Sequence, residues 1–499
     1  MAFSPEHKRS APSDRISGLS DDVLGHVLSF LPTKEAACAA ALSRRWRHIF
    51  GSVHTISFQE AEGARANDWT TWYYEMLERK SCSDELLDNV SAALLCRRRC
   101  ARIPVPLRSL RFAFDSWHRW DKVAIDQWLA YVLQPPRGCC HNHPGLHLDL
   151  RFHVSPICDF SDDRRRDDDA GSDSDDDPFV NRWRYLLPGR LFSCTALRTL
   201  CVAFCRLALP RINVVDLPFL DTMRLTALSD SGRSIQWLIS SCPRLADLTL
   251  EALWNLKRVS VLNKPLRRFA IRCCHNVRTV DIDASKLRSL EYGGRGLPKS
   301  FMSLHGSPPA TIPLCTTIGF CKPLSWEAEF ANLTRFLEEI SNTKHLHLHH
   351  GGLQSRFFDA GFPLFSRLTR LTLQGCIGSS NTVATIGRIL DQTPNLEILS
   401  LLMWESQKGM ADTRVAVFDE ITEPIFSLPC LRTGVTEISV EDYEGSMPEK
   451  MLVKLLLRNA LVLERLQVVF TEGLSSEQKN ILEVQMGRWG MPNSEKVFM

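Results

Sequence analysis

The sequence predicts an α/β fold in two parts: a short helical module over 14–52, then a solenoid of stacked parallel strands over 53–427 with helices or loops returning on the outside. Three observations predict it. The chain has 499 residues, more than one ordinary hydrophobic core holds. A frame Leu-x-x-Leu-x-Leu, with conservative replacements, recurs along most of it. Near the amino end an apolar stripe runs at helical spacing.

The stripe comes first in the chain. Leu24, Val27, Leu28 and Leu31 stand at i, i+3, i+4 and i+7, one side of a helix. Ser20 offers an N-cap, and Asp21 and Asp22 place negative charge at the helix start. Pro32 stops this helix. A second follows through the small residues from Ala36 to Ala41, and a third through Leu42-Ser43-Arg44-Arg45-Trp46-Arg47. A module this short cannot hide so many aliphatic side chains internally, so part of the stripe faces the rest of the chain or another protein.

Ile16-Ser17-x-Leu19, Asp22-Val23-Leu24, Leu28-Ser29-Phe30-Leu31-Pro32 and Leu42-Ser43-Arg44-Arg45-Trp46-Arg47 resemble the F-box of plant F-box proteins. The resemblance implies a three-helix F-box that binds the Skp adaptor of a cullin-RING ubiquitin ligase. The matching contact stripe is Leu19, Val23, Leu24, Val27, Leu28 and Leu31. Where the family has Leu-Pro, this chain has Leu19-Ser20, which removes a rigid helix start, keeps a good cap, and implies weaker adaptor binding rather than none.

The repeat frame begins clearly at Leu197, Leu220, Leu245, Leu266, Leu287, Leu368 and Leu396, and more loosely at Val53, Leu107, Thr343, Val435 and Leu463. Leu245, Leu266 and Leu287 are about 21 residues apart, a leucine-rich-repeat interval. The last two apolar positions of each frame lie two apart and so share one side of a strand, a side that only neighbouring copies can cover. Cys205, Cys274 and Cys376 each fall eight positions into a frame, where the repeat takes Asn or Cys for the turn after the strand. Return helices are expected around Ile125–Leu133, Ile235–Cys242, Phe330–Ile340 and Val383–Leu390, with Pro243 and Pro394 breaking two of them. The exact repeat boundaries between Leu287 and Leu368 stay open. Leu187-Pro188-x-x-Leu191-Phe192-x-Cys194-x-x-Leu197 and Leu238-x-x-x-Cys242-Pro243-x-Leu245 resemble repeats of the plant F-box/leucine-rich-repeat family. The stretch 428–475, with Val435-Thr436-Glu437-Ile438 and Tyr443-Glu444-Gly445, resembles its FBD segment, and 476–499 reads as a tail.

Strand positions that alternate with the buried ones face the concave side and are the candidate target-binding residues. They are Asp247, Glu251, Arg268, Arg272, His345, His347 and Arg370, joined by Thr249, Glu291, His349, Thr372 and Gln374. Ile398 and Leu402 fall on the same alternation and would make an apolar spot near Trp404, unless the FBD-like segment covers it.

Other functional classes find little support. Lys and Arg total 60 against 57 Asp and Glu, so there is no basic field to draw nucleic acid or a membrane surface. No run reaches the ~18 apolar residues of a bilayer span, and 1–13 is a polar, disordered start without a signal-peptide core. The protein is therefore expected in the nucleus and/or cytoplasm, where its 17 cysteines stay reduced. His345-Leu346-His347-Leu348-His349-His350 and Cys139-Cys140-His141-Asn142-His143 contain metal-ligand residue types without the paired spacing of a zinc motif. Gly293-Gly294-x-Gly296 follows a strand without a helix opening behind it, so no phosphate loop is read there. The acidic stretch 159–178 is expected to be a disordered insertion, and Ser172 and Ser174 within it would suit an acid-directed kinase. No catalytic residue, cofactor or metal is expected. The expected function is that of a substrate receptor: the F-box holds the adaptor, the repeats hold a protein target, and ubiquitin transfer follows from proximity. The alternative is a leucine-rich-repeat scaffold with a degenerate F-box.

Overall fold

In the computed structural model of the chain, the described residues are 16, 18–60, 72–100, 106–114, 121–134, 145–153, 184–209, 215–306, 314–321, 324, 327–349, 361–375, 377, 380–403, 428–489 and 495–499. Readings made on 1–13, Cys139–His143, the acidic stretch 159–178, Cys376 and Trp404 lie outside them. Among the described residues no helix is long and apolar enough to cross a membrane. The chain forms two compact units, one built from residues up to 153 with 184–229 and 241–243, the other from 230–240 and 244–499.

The first unit opens with helices α1 (Asp21–Leu28), α2 (Thr33–Ala41) and α3 (Arg44–Ile49). Ser20 caps α1 by accepting from the Val23 amide, and Ser43 caps α3 by accepting from the Trp46 amide. A long helix, α4 (Trp72–Cys100), and α5 (Lys122–Val132) follow between β1 (Thr55–Gln59), β2 (Ser109–Ala113) and β3 (Leu146–Arg151). Sequence reading found α5 but not α4, although Leu86, Val90, Ala93, Leu94 and Arg97 of α4 are buried at helical spacing. Arg97 is held there because its guanidinium donates to the Val53 carbonyl and the Tyr131 hydroxyl. Next come β4 (Tyr185–Leu187), β5 (Leu197–Ala203), β6 (Cys205–Leu207) and β7 (Thr222–Thr226). Parallel pairing in the order β1-β2-β3-β5-β7 stacks Ile56, Leu110, Leu148, Leu200 and Met223 into one buried row.

The second unit continues the scheme. It holds α6 (Gly232–Ser240), β8 (Asp247–Glu251), β9 (Arg258–Val261), β10 (Arg268–Arg272), β11 (Thr279–Asp283), β12 (Ser289–Gly294), β13 (Met302–His305) and β14 (Cys315–Phe320). After these come α7 (Glu327–Glu339), β15 (His345–His349), β16 (Arg370–Gly375), α8 (Ser380–Asp391) and β17 (Ile398–Met403). The chain ends with α9 (Pro429–Thr433), β18 (Glu437–Tyr443), α10 (Met447–Asn459), β19 (Arg465–Phe470), α11 (Ser476–Trp489) and β20 (Glu495–Phe498). One parallel sheet runs β8-β10-β12-β14-β15-β16-β17-β18-β19-β20. Its register lines up Leu248, Phe269, Leu290, Thr316, Leu346, Leu371, Leu399, Ile438 and Leu466, all buried. The architecture is α/β, a helical module followed by the stacked parallel strands of a leucine-rich-repeat solenoid.

Two details differ from the sequence reading. Where repeats are about 21 residues long, too few remain after strand and turns for a return helix. The outer layer there is a second parallel sheet, β13-β11-β9, with Val259, Val280 and Met302 packed in a row. Longer intervals carry α6, α7 and α8 at the expected places. The stretch 476–499 is also no loose tail, because α11 returns the chain and β20 pairs with β19.

Candidate interaction faces

The helical module divides its apolar stripe between two directions. Leu24, at 0% exposure, and Leu28, at 2%, turn inward with Ala36, Ala40, Ile49 and Phe50. They sit on the side of α1 that approaches the chain at Ser52 so closely that a Cβ on Gly25 would lie 2.7 Å from the Ser52 side chain. These two residues are thus core and cannot belong to an adaptor-contacting stripe, a correction to the sequence reading. Leu19, Val23, Val27 and Leu31 remain 40–46% exposed. With about 100° between successive helical residues, the stripe is wider than one packed face can cover, so one flank is sealed and the other left open.

Two other apolar side chains of the module that sequence reading did not single out are more exposed still: Phe30 at 76% and Leu42 at 82%. Both lie inside the motifs that carry the F-box resemblance, so the signal was present, but neither belongs to the set Leu24, Val27, Leu28 and Leu31 from which the stripe was read. The module is fastened from below. Ser29 Oγ accepts from the His54 amide at 2.9 Å, Thr33 Oγ1 accepts from the Ser57 amide at 2.8 Å, and Lys34 pairs with Glu85 of α4. Across the module, Arg45 pairs with Asp21 at 3.1 Å and donates to the Leu19 carbonyl, tying α3 to the start of α1.

On the second unit's sheet, the outward row reads Asp247, Arg268, Ser289, Cys315, His345, Arg370, Ile398, Glu437, Arg465 and Glu495. The candidate residues do gather on one sheet face, in three zones. The first is charged and paired within itself. Arg268 meets Asp247 at 2.5 Å, while Arg272 holds Glu291 through two bonds of 2.6 and 2.8 Å and reaches Glu251 at 3.8 Å. Hydrogen bonding to these carboxylates raises the pKa of both arginines above the ordinary value. The second zone is imidazole. His347 Nε2 is 2.9 Å from Gln374 Oε1, and the His347 and His349 rings stack at 4.8 Å. Burial lowers the pKa of His345, His347 and His349, with Arg370 adding to the effect at His345. The third zone is apolar: Ile398 lies between Arg370 and Glu437, and Leu402 between Gln374 and Glu441, both half-buried.

The cysteines assigned to the repeat turn behave as structural groups where described. Cys205 and Cys274 are buried, and Cys274 Sγ accepts from the Leu253 amide at 3.5 Å. Burial pushes the Cys274 thiol up to about 12.

A three-helix module with an open apolar flank, followed in the chain by stacked leucine-rich strands that present a polar face, is the organisation of F-box/leucine-rich-repeat proteins. Family models agree: the F-box domain matches residues 16–57, and the leucine-rich repeats of FBD-associated F-box protein At5g56370 match residues 176–305. The chain therefore carries an F-box and leucine-rich repeats, and its relatives are plant F-box/leucine-rich-repeat proteins. It is similar to the F-box/LRR-repeat protein At4g14103 of Arabidopsis thaliana, 26% identical over 78% of this chain and 92% of that protein. It is also similar to the F-box protein At4g27050 of the same plant, 24% identical over 94% and 95% of the two chains. A third relative there is the putative F-box/FBD/LRR-repeat protein At3g59240, 24% identical over 77% of this chain and 68% of that protein. These matches support a substrate-recognition role of the F-box type.

Proposed function

We propose that this chain is the substrate receptor of an SCF-type (Skp-cullin-F-box) ubiquitin ligase, without catalytic residues of its own and working in the nucleus and/or cytoplasm. The open flank of α1, with Leu19, Val23, Val27 and Leu31 joined by Phe30 and Leu42, seats the Skp-type adaptor. The sheet face of the second unit, from Asp247, Glu251, Arg268 and Arg272 through His345, His347 and Arg370 to Ile398 and Leu402, takes the target protein. The observation that carries the reading is the set of exposed apolar side chains on a module whose inner side is already sealed by Leu24 and Leu28. Apolar groups clustered in water mark a surface that another protein covers. The receptor acts by raising the target's local concentration near a ubiquitin-charged enzyme held on the cullin.

The test is co-purification of adaptor and cullin with the full chain and with Val27→Asp plus Phe30→Asp. Since both positions are outside the core, the double variant should keep its thermal unfolding midpoint while losing adaptor. Equal adaptor recovery by wild type and folded variant overturns the proposal and leaves a scaffold that captures its target without the ligase.

A further inference from the structure

Three metal-ligand side chains that the target face does not use meet at the carboxyl ends of adjacent strands. Cys273 follows β10 directly, Cys321 follows β14 directly, and β12 lies between those two strands. The Cys273 amide donates to the Gly293 carbonyl at 2.6 Å and the Cys321 amide to the Gly294 carbonyl at 2.7 Å, so both cysteines hang on the end of the same intervening strand. That strand ends in two glycines, and no side chain stands between the thiols. Cys273 also has a left-handed backbone (φ 51°), which turns the chain out of the sheet at this point. The two Sγ atoms are 3.5 Å apart, and a ring nitrogen of His275, two residues further on, completes a group whose ligand atoms all lie within 4.8 Å of one another. The adjacent Cys274 points elsewhere, into the core against the Leu253 amide.

We propose that Cys273, His275 and Cys321 bind a zinc ion. With bonds of about 2.3 Å to sulfur, tetrahedral zinc holds two thiolates about 3.8 Å apart, close to the separation observed. A disulfide needs sulfurs about 2.05 Å apart and has no use for an imidazole within reach of both. Two thiolates and one imidazole form a soft donor set that favours zinc over magnesium or calcium. Binding releases the protons of the two thiols, and a water takes the fourth position, since all three side chains are only half-buried. The ion would tie β10 to β14 across the end of β12, clamping three successive repeats beside the charged zone of the target face.

The experiment is a titration of the purified, reduced full chain with zinc, and with cobalt(II) as its coloured substitute. One strongly bound ion per chain is expected, with the intense d–d bands of tetrahedral cobalt, a thiolate-to-cobalt charge-transfer band, and a thermal midpoint that rises with zinc concentration. Cys321→Ser should abolish most of the charge-transfer intensity, and His275→Ala should weaken zinc binding at least about tenfold. Metal-free unfolding curves that match wild type show each variant folded, and His275→Gln serves if His275→Ala is not. Cys139→Ser plus Cys140→Ser should change nothing. No stoichiometric binding, binding that tracks Cys139 and Cys140 instead, or a native Cys273 to Cys321 disulfide in non-reducing peptide maps overturns the assignment.

Discussion

Val27 and Leu28 are chain neighbours with opposite surroundings, since Val27 is open to solvent and Leu28 is enclosed. Their substitutions should separate accordingly. Leu28→Ala leaves a cavity in the module and should lower stability by about 2–5 kcal/mol in denaturant unfolding, with adaptor binding falling only as the module unfolds. A change at Val27 should affect binding at unchanged stability. Ser20 shows how local chemistry replaces a missing residue: its hydroxyl caps α1 where a proline would otherwise stiffen the start. Sequence alone read that cap and the apolar stripe, but could not divide the stripe between core and surface. Helical spacing specifies a side, and only the position of Ser52 against Gly25 decides which flank is sealed.

Among the elements, β14 shows why some strands escape a search for leucines. Its place in the buried row is filled by Thr316, whose hydroxyl meets that of Thr343 at 3.3 Å and so needs no water. The outer strands β9 and β11 escaped for another reason, being too short for alternation to stand out against chance. By contrast, every frame identified from the sequence proved to be a strand, because the leucine pair and the turn after it are fixed by the same stacking that builds the sheet. On β15 the three histidines resist protonation, their pKa values lying below the ordinary value near 6.5. The unfolded chain then takes up protons more readily than the folded one. The neutral rings contribute stability above about pH 6.5, and that contribution is lost as the pH falls below it. Unfolding midpoints measured from pH 7.5 down to 5 should decline, and His347→Gln plus His349→Gln should flatten the decline.

At the scale of the molecule, the buried row and the candidate target face occupy opposite sides of the same strands. Leu371→Ala, in the continuous buried row, should cost about 2–5 kcal/mol. Ile398→Ser plus Leu402→Ser, on the half-exposed side, should leave the thermal midpoint within a few degrees of wild type while reducing capture of the target, as pull-down from cells with the proteasome inhibited would measure. A large loss of stability would place those two side chains under a cover instead. The candidate target face was legible in outline, since strand alternation names its residues. Its internal pairing was not, because the contacts of Arg272 with both Glu251 and Glu291 depend on the register of separate strands.

The outward row from Asp247 to Glu495 contributes one residue per strand at about 4.8 Å intervals. Each position is backed by scaffold that does not depend on which side chain it carries. Substitutions can therefore accumulate along this row one letter at a time while folding proceeds as before; if the row grips a target as proposed, a lineage of such chains diverges in choice of quarry long before it diverges in architecture.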